Sequence, residues 1–171
     1  GIRPTSAIAS IGAVIFDPHS DWIGQGFHIH VSLENCVRHG LTIDPSSVMW
    51  WLEREDSSRH TLVTGQLDAA PLITALEAFS AFTRSEALGN EPDIWCNGNS
   101  YDMPILANAY YVIGQETPWA YFKERDLRTL KGMNRDLRIE NTGTFHNALD
   151  DARNQARLVQ HILQFNPDVD A

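Results

Sequence analysis

From 147 to 165 the chain sets Ala148, Ala152, Ala156, Val159 and Leu163 on one stripe at helical spacing. Small side chains along a buried stripe let a helix axis lie close against a sheet, so this segment demands strands to pack on. Those strands are legible upstream. The apolar run "AIASIGAVIF" (7–16), rich in β-branched residues and ended by "DPHSD", reads as a buried strand and turn, and "WIGQGFHIHVSL" (22–33) alternates in part as its hairpin partner. In "TIDPSSVMWWLERED" Asp44 precedes Pro45, an N-cap followed by proline at the first helical position, which starts a short helix. "PLITALEAFSAF" (71–82) spaces Leu72, Leu76 and Phe79 along one helical face and predicts a long core helix with a stop near Gly89. "DIWCNG" (93–98) is a short buried strand that leads through "NGNS" into a helix from about Asp102 to Ile113. A hairpin followed by helices alternating with a strand predicts a mixed α/β sandwich with the antiparallel pair on one side.

Length and composition bound this reading. A chain of 171 residues and 19.2 kDa buries one good core and is too short for two ordinary domains, so residues 1–171 are expected to form one. No apolar run approaches the roughly 18–20 residues that a bilayer demands. The start "GIRPTSAIAS" lacks the charged region, apolar stretch and cleavage site of a signal peptide. Cys36 and Cys96 form no metal or disulfide spacing, and a reducing cytoplasm is the expected compartment.

The net charge of -9 argues against a polyanionic partner until its distribution is read. Residues 1–120 hold 5 basic and 14 acidic side chains, whereas 121–171 hold 8 of each. Within "YFKERDLRTLKGMNRDLR" (121–138) stand Lys123, Arg125, Arg128, Lys131, Arg135 and Arg138. Such a cluster either meets phosphates or forms a solvated, ion-paired surface. Charge alone favours the second.

The chemistry concentrates at two places. In "HNALDDARN" (146–154) a histidine is followed, four and five places on, by adjacent aspartates. A helix beginning near Asn147 carries both carboxylates in its first turn, where the helix dipole favours ionised Asp151, and leaves His146 at its mouth. This suits a metal-bound hydrolytic site, or it is merely a well-capped helix. Asp102 follows a strand and a Gly/Asn/Ser turn, at the strand end where α/β sheets open ligand crevices. Two carboxylates from separate elements can converge on Mg²⁺ or Mn²⁺, which prefer oxygen ligands. An imidazole, with an ordinary pKa near ~6.5, can take a proton from metal-bound water. Arg128 either reaches a substrate phosphate or pairs with Asp126, the second being preferred. Trp50 and Trp51 point about 100° apart on a helix, so one belongs to the core while the other, with Trp50 the candidate, is free to stack on a base. Asn97, Asn99 and Ser100 are expected to shape the turn and cap the helix; Asn99 is also a candidate substrate contact.

Together these stretches resemble a family. "HNALDDA" is similar to the third motif of the DEDDh (DnaQ-like) 3'-5' exonucleases, a histidine, four arbitrary residues and an aspartate, and "WCNGNSYDMPIL" resembles the second. "ASIGAVIFDP", "TIDPSSVMWWLERED" and "PWAYFKERDLRTL" further resemble the phage and prophage branch, which includes a bacterial exoribonuclease-like group. The five stretches fall in the family's order. The resemblance implies an RNase H-like mixed sheet flanked by helices, Asp102 and Asp151 as metal ligands and His146 as general base, with Asp150 a neighbour. It further implies two Mg²⁺ or Mn²⁺ ions, in-line attack on a terminal phosphodiester of DNA or RNA, release of nucleoside 5'-monophosphates, a single-stranded or 3'-overhang substrate and a homodimer.

One departure matters. The family's first motif, Asp-x-Glu on the first central strand, is expected just before the position of Gly1 and has no counterpart in the chain. An i, i+2 pair on a strand points both carboxylates to one face, so the chain carries only half of a four-carboxylate site. The expectation is that a further segment, holding that strand, precedes Gly1. Beside exonuclease activity stand two alternatives: a nucleic-acid-binding module that has kept the fold and lost catalysis, and a two-metal hydrolase of another phosphate ester.

Overall fold

The computed structural model describes residues 1–85, 92–137, 139–143 and 146–165. Its first strand, β1 (Ser10–Phe16), pairs antiparallel with β2 (Ile23–His30), and the helices α1 (Leu33–Arg38), α2 (Pro45–Leu52), α3 (Asp56–Gly65) and α4 (Leu72–Thr83) follow. Then come β3 (Ile94–Cys96), α5 (Asp102–Val112), a 3-10 turn (Tyr121–Lys123), β4 (Glu124–Asp126), α6 (Leu127–Met133) and α7 (Ala148–Phe165). The chain is α/β, as expected. Its described strands form two two-stranded sheets, one antiparallel (β1, β2) and one parallel (β3, β4), where one mixed sheet was predicted. The helix α4 closes at Thr83, before the stop expected at Gly89, which lies outside the described residues, as does Arg138 of the basic cluster.

Alternation along the strands assigns the layers. Ile11 and Ala13 of β1, Phe27 and Ile29 of β2, and Ile94 and Cys96 of β3 share one core with Leu72, Ala75, Leu76 and Phe79 of α4 and Met103, Ala109 and Tyr110 of α5. Phe16 and Trp95 point the other way and pack with Leu127 and Leu130 of α6 and Val159, Ile162 and Leu163 of α7. Both sheets therefore present one face to α4 and α5 and the other to α6 and α7. The buried hydroxyl of Tyr110 donates to the Leu76 carbonyl at 2.9 Å and lies 2.8 Å from the Ser80 hydroxyl, so this polar atom stays satisfied inside the core.

The small-residue stripe does what its spacing predicts. Ala156, Val159 and Leu163 are buried, and α7 lies so close to β1 that a Cβ placed on Gly12 would stand 2.2 Å from the Ala148 carbonyl carbon. Opposite Val14, Gly26 meets the Leu149 side chain in the same way. Further along, buried Gln160 of α7 donates its amide to the carbonyls of Asp17 at 3.0 Å and Trp22 at 2.9 Å, clamping the hairpin turn. Gln160→Leu keeps the bulk and removes both bonds, so it should cost about 1–3 kcal/mol. A urea midpoint equal to the wild type's would show that the clamp contributes nothing. Among the described residues no helix is long and apolar enough to cross a membrane.

Candidate active site

The first half of the site is built at the carboxyl end of β3. There the chain turns through Asn97–Tyr101, with Gly98 at φ 133°, a conformation that favours glycine. The Gly98 carbonyl accepts the N–H groups of Tyr101 at 2.8 Å and Asp102 at 3.2 Å, which delivers Asp102 into the first turn of α5. Side-chain capping is absent here. Tyr101 holds the N-cap position without a side-chain bond, so the expectation that the Asn/Ser turn caps this helix is corrected. Asn99 does shape the turn: its Oδ1 accepts from the Cys96 thiol at 3.0 Å and its N–H donates to Asp126 at 3.4 Å. Burial, together with the charge of Asp102, pushes the Cys96 thiol up to about 12, so it stays protonated.

Arg128 lies elsewhere than expected. The Asp126 carboxylate receives the backbone N–H of Arg128 at 3.1 Å and the Thr129 hydroxyl at 2.7 Å, capping α6. Its slight burial works upward, but these bonds from Thr129, Arg128 and Asn99 hold its pKa below the ordinary value. The Arg128 guanidinium turns away, lies against Gly98 and donates to the Asn97 carbonyl at 3.0 Å. The preferred side-chain pairing with Asp126 is therefore replaced by a bond to the turn, which leaves the exposed cation facing Asp102. Burial raises the Asp102 pKa, Arg128 opposes the rise and Asp126 adds to it.

The second half is the mouth of α7. Asn147 caps the helix, its Oδ1 accepting from the N–H groups of Leu149 at 3.1 Å and Asp150 at 3.2 Å. His146, just before it, has φ 64° and is the one non-glycine residue with positive φ among those described. Its imidazole and backbone N–H lie on the side of the Asp151 carboxylate and act to lower its pKa. The helix dipole was expected to keep Asp151 readily ionised. Instead burial pushes its pKa up, His146 pulls it down and Asp150 pushes it up again. Asp150 itself lies 3.6 Å from Arg153 and against Gly143.

Neither tryptophan of α2 joins the core. Trp50 is 41% exposed and Trp51 half-buried, correcting the expectation that one of them is a core residue. The helix buries none of its residues, and both indoles gather on the His146 imidazole, with ring centroids 5.2 Å away for Trp50 and 5.9 Å for Trp51. The Arg54 guanidinium lies over Trp50, 4.3 Å from the ring centre. Beside them opens a cavity of about 50 Å³ lined by His28, His30, Trp51, Thr61, His146 and Asn147. Sequence reading weighed Trp51 only as a core or stacking residue and passed over Arg54 and the two strand histidines. The His-x-His spacing of 28 and 30, on the strand face that meets α7, was the available signal.

Two partly buried carboxylates with raised pKa values suit a hard divalent cation, which would relieve the cost of ionising them. No group of three or more His, Cys, Asp or Glu side chains among the described residues is arranged to hold a metal. Mg²⁺ ordinarily keeps several waters and uses one or two carboxylates plus substrate phosphates; the charges that act on Asp102 are Arg128 and Asp126 and those on Asp151 are His146 and Asp150, so the two carboxylates stand in separate halves of the site. The raised values also carry a stability consequence. In the folded chain these acids bind protons more readily than in the unfolded one, so the stability their protonated forms supply is lost as pH rises above the ordinary carboxylate value, near ~4. Asp102→Asn should therefore melt above wild type at neutral pH in chelator, the gap closing at more acid pH. A neutral-pH melt below wild type would mean that the charge is already compensated.

Comparison with known proteins places the chain among the 3'-5' exonucleases. It belongs to the 3'-5' exoribonuclease Rv2179c-like family, whose model matches residues 1–163. The exodeoxyribonuclease of Enterobacteria phage T4 is 21% identical over 150 residues, covering 75% of this chain, and the chain spans 65% of that relative's length. No solved structure matches.

Proposed function

We propose that the protein is a metal-dependent 3'-5' exonuclease that hydrolyses the terminal phosphodiester of single-stranded or 3'-overhang nucleic acid and releases nucleoside 5'-monophosphates. The observation that carries this is the His146–Asp151 pair at the mouth of α7, a base candidate whose charge acts on the metal-ligand candidate beside it. Asp102 and Asp151 would hold Mg²⁺ or Mn²⁺, two ions in the full RNase H-like site, which supply charge neutralisation at the phosphate and an acidified water. His146 would take the proton from the attacking water, and being exposed it can pass the proton on to solvent. Arg128, held by the Asn97 carbonyl, offers its remaining donors to a substrate phosphate. Trp50 offers an indole for stacking on the terminal base, with Arg54 already on the ring, and such a contact is worth ~1–3 kcal/mol. Asn99 supports the turn from which Asp102 and Arg128 act.

The family name points to RNA and the phage relative's to DNA, so both are substrates to assay. A homodimer and a cytoplasmic site of action complete the proposal, the second in keeping with two buried free cysteines. The test is a 5'-labelled oligonucleotide of each kind incubated with Mn²⁺ or with chelator. A ladder that shortens from the 3' end only with metal, and not with Asp102→Asn, is the expected result. Metal-independent binding without cleavage would replace the proposal with a catalytically silent binding module. Hydrolysis of small phosphate esters alone would move the protein to another class.

A further inference from the structure

The exposed His146 side chain has two torsions free to rotate, yet a general base works only from one orientation. The surrounding rings restrict it. Trp50 meets the imidazole edge-on at 82° and Trp51 at 72°, while the two indoles meet each other 5.1 Å apart at 88°. Each ring thus sets an edge against a neighbour's face, the favoured aromatic geometry. Trp50 is the more exposed and carries Arg54 on its ring. Trp51 is half-buried and lines the small cavity that it shares with His28, His30, Thr61 and Leu62.

We propose that Trp51 is a positioning residue, which holds the His146 imidazole in the orientation from which its nitrogen meets the attacking water. The inference rests on the reading of His146 as the base. It separates two adjacent side chains that both touch the imidazole: Trp50, the more exposed, remains accessible to substrate, whereas half-buried Trp51 lies between the base and the cavity behind it. A misplacement of about 1 Å at a reacting group can cost ~10²-fold in rate, so Trp51→Ala should lower kcat by up to that factor and leave KM unchanged. Trp51→Phe, which keeps an aromatic edge, should recover most of the rate. Added imidazole should restore activity to His146→Ala and fail to restore the double variant His146→Ala, Trp51→Ala.

A second readout needs neither metal nor turnover. The His146 ring protons, assigned by their loss in His146→Ala, should carry ring-current shifts from both indoles; Trp51→Ala should change that shift by the loss of its own part and of the fixed orientation, while Trp51→Phe should keep most of it. A raised KM with intact kcat would overturn the proposal in favour of a base-binding role. Equal losses in the Phe and Ala variants with a lowered melting temperature, or an unchanged imidazole shift in Trp51→Ala, would overturn it in favour of a packing role. If the wild type cleaves nothing, the nuclease reading falls, and the proton shifts alone decide whether Trp51 holds the imidazole.

Discussion

Replacing His146 with alanine is expected to lower the cleavage rate by ~10²–10⁴-fold, the usual contribution of a positioned general base, while oligonucleotide binding persists. Binding is expected to survive because Arg128 stands on a separate element, held by the Asn97 turn rather than by α7. The backbone supplies a sharper control. At φ 64° an L-residue is strained by of order 1–3 kcal/mol, and strain of this kind persists at sites where the side chain has work to do. Alanine keeps the Cβ and therefore the strain, whereas glycine removes both imidazole and strain. His146→Gly should be as inactive as His146→Ala and melt higher than it. Single-turnover cleavage with both variants checks the first point and a thermal melt the second. Full activity in either variant would remove His146 from the mechanism.

How far the site was legible depended on whether local signals or tertiary ones built it. Asp44 before Pro45, the stripe on α7 and the small turn before Asp102 are local, and each element stands where those residues placed it. The strand β4 is three charged residues, Glu124, Arg125 and Asp126, with no apolar period to read. Long-range partners specify it: Trp119 donates its indole N–H to Glu124 at 3.0 Å, Arg125 lies 3.2 Å from Asp93, and the strand pairs with β3. The same partners resolve part of the basic cluster. Lys123 and Arg125 both pair with Asp93, as an ion-paired surface would have them, while Arg128 is drawn to the Gly98 turn. Trp51 was invisible as a neighbour of His146 because the two lie far apart in sequence and meet only through the reach of an indole and a left-handed turn.

Gly12→Val should cost more stability than any other single change argued for this chain. Nothing about the strand conformation at Gly12 requires glycine; the demand comes from α7, whose Ala148 and Leu149 backbone atoms occupy the space of a Cβ. Backbone cannot rotate out of the way as a side chain can, so the helix start must lift from β1. Overpacking of a fitted contact costs typically about 1–3 kcal/mol, occasionally more, and valine adds two methyl groups beyond the offending Cβ. The displacement falls on the turn of α7 that carries Asn147, Asp150 and Asp151, with His146 immediately before it. Activity should therefore fall further than the loss of folded protein explains, and Gly12→Ala should show the same pattern in milder form. Urea unfolding beside kcat measured on the folded fraction separates the two effects. A folded Gly12→Val protein with wild-type kcat would mean that the close approach of β1 and α7 does not set the position of the His146–Asp151 pair.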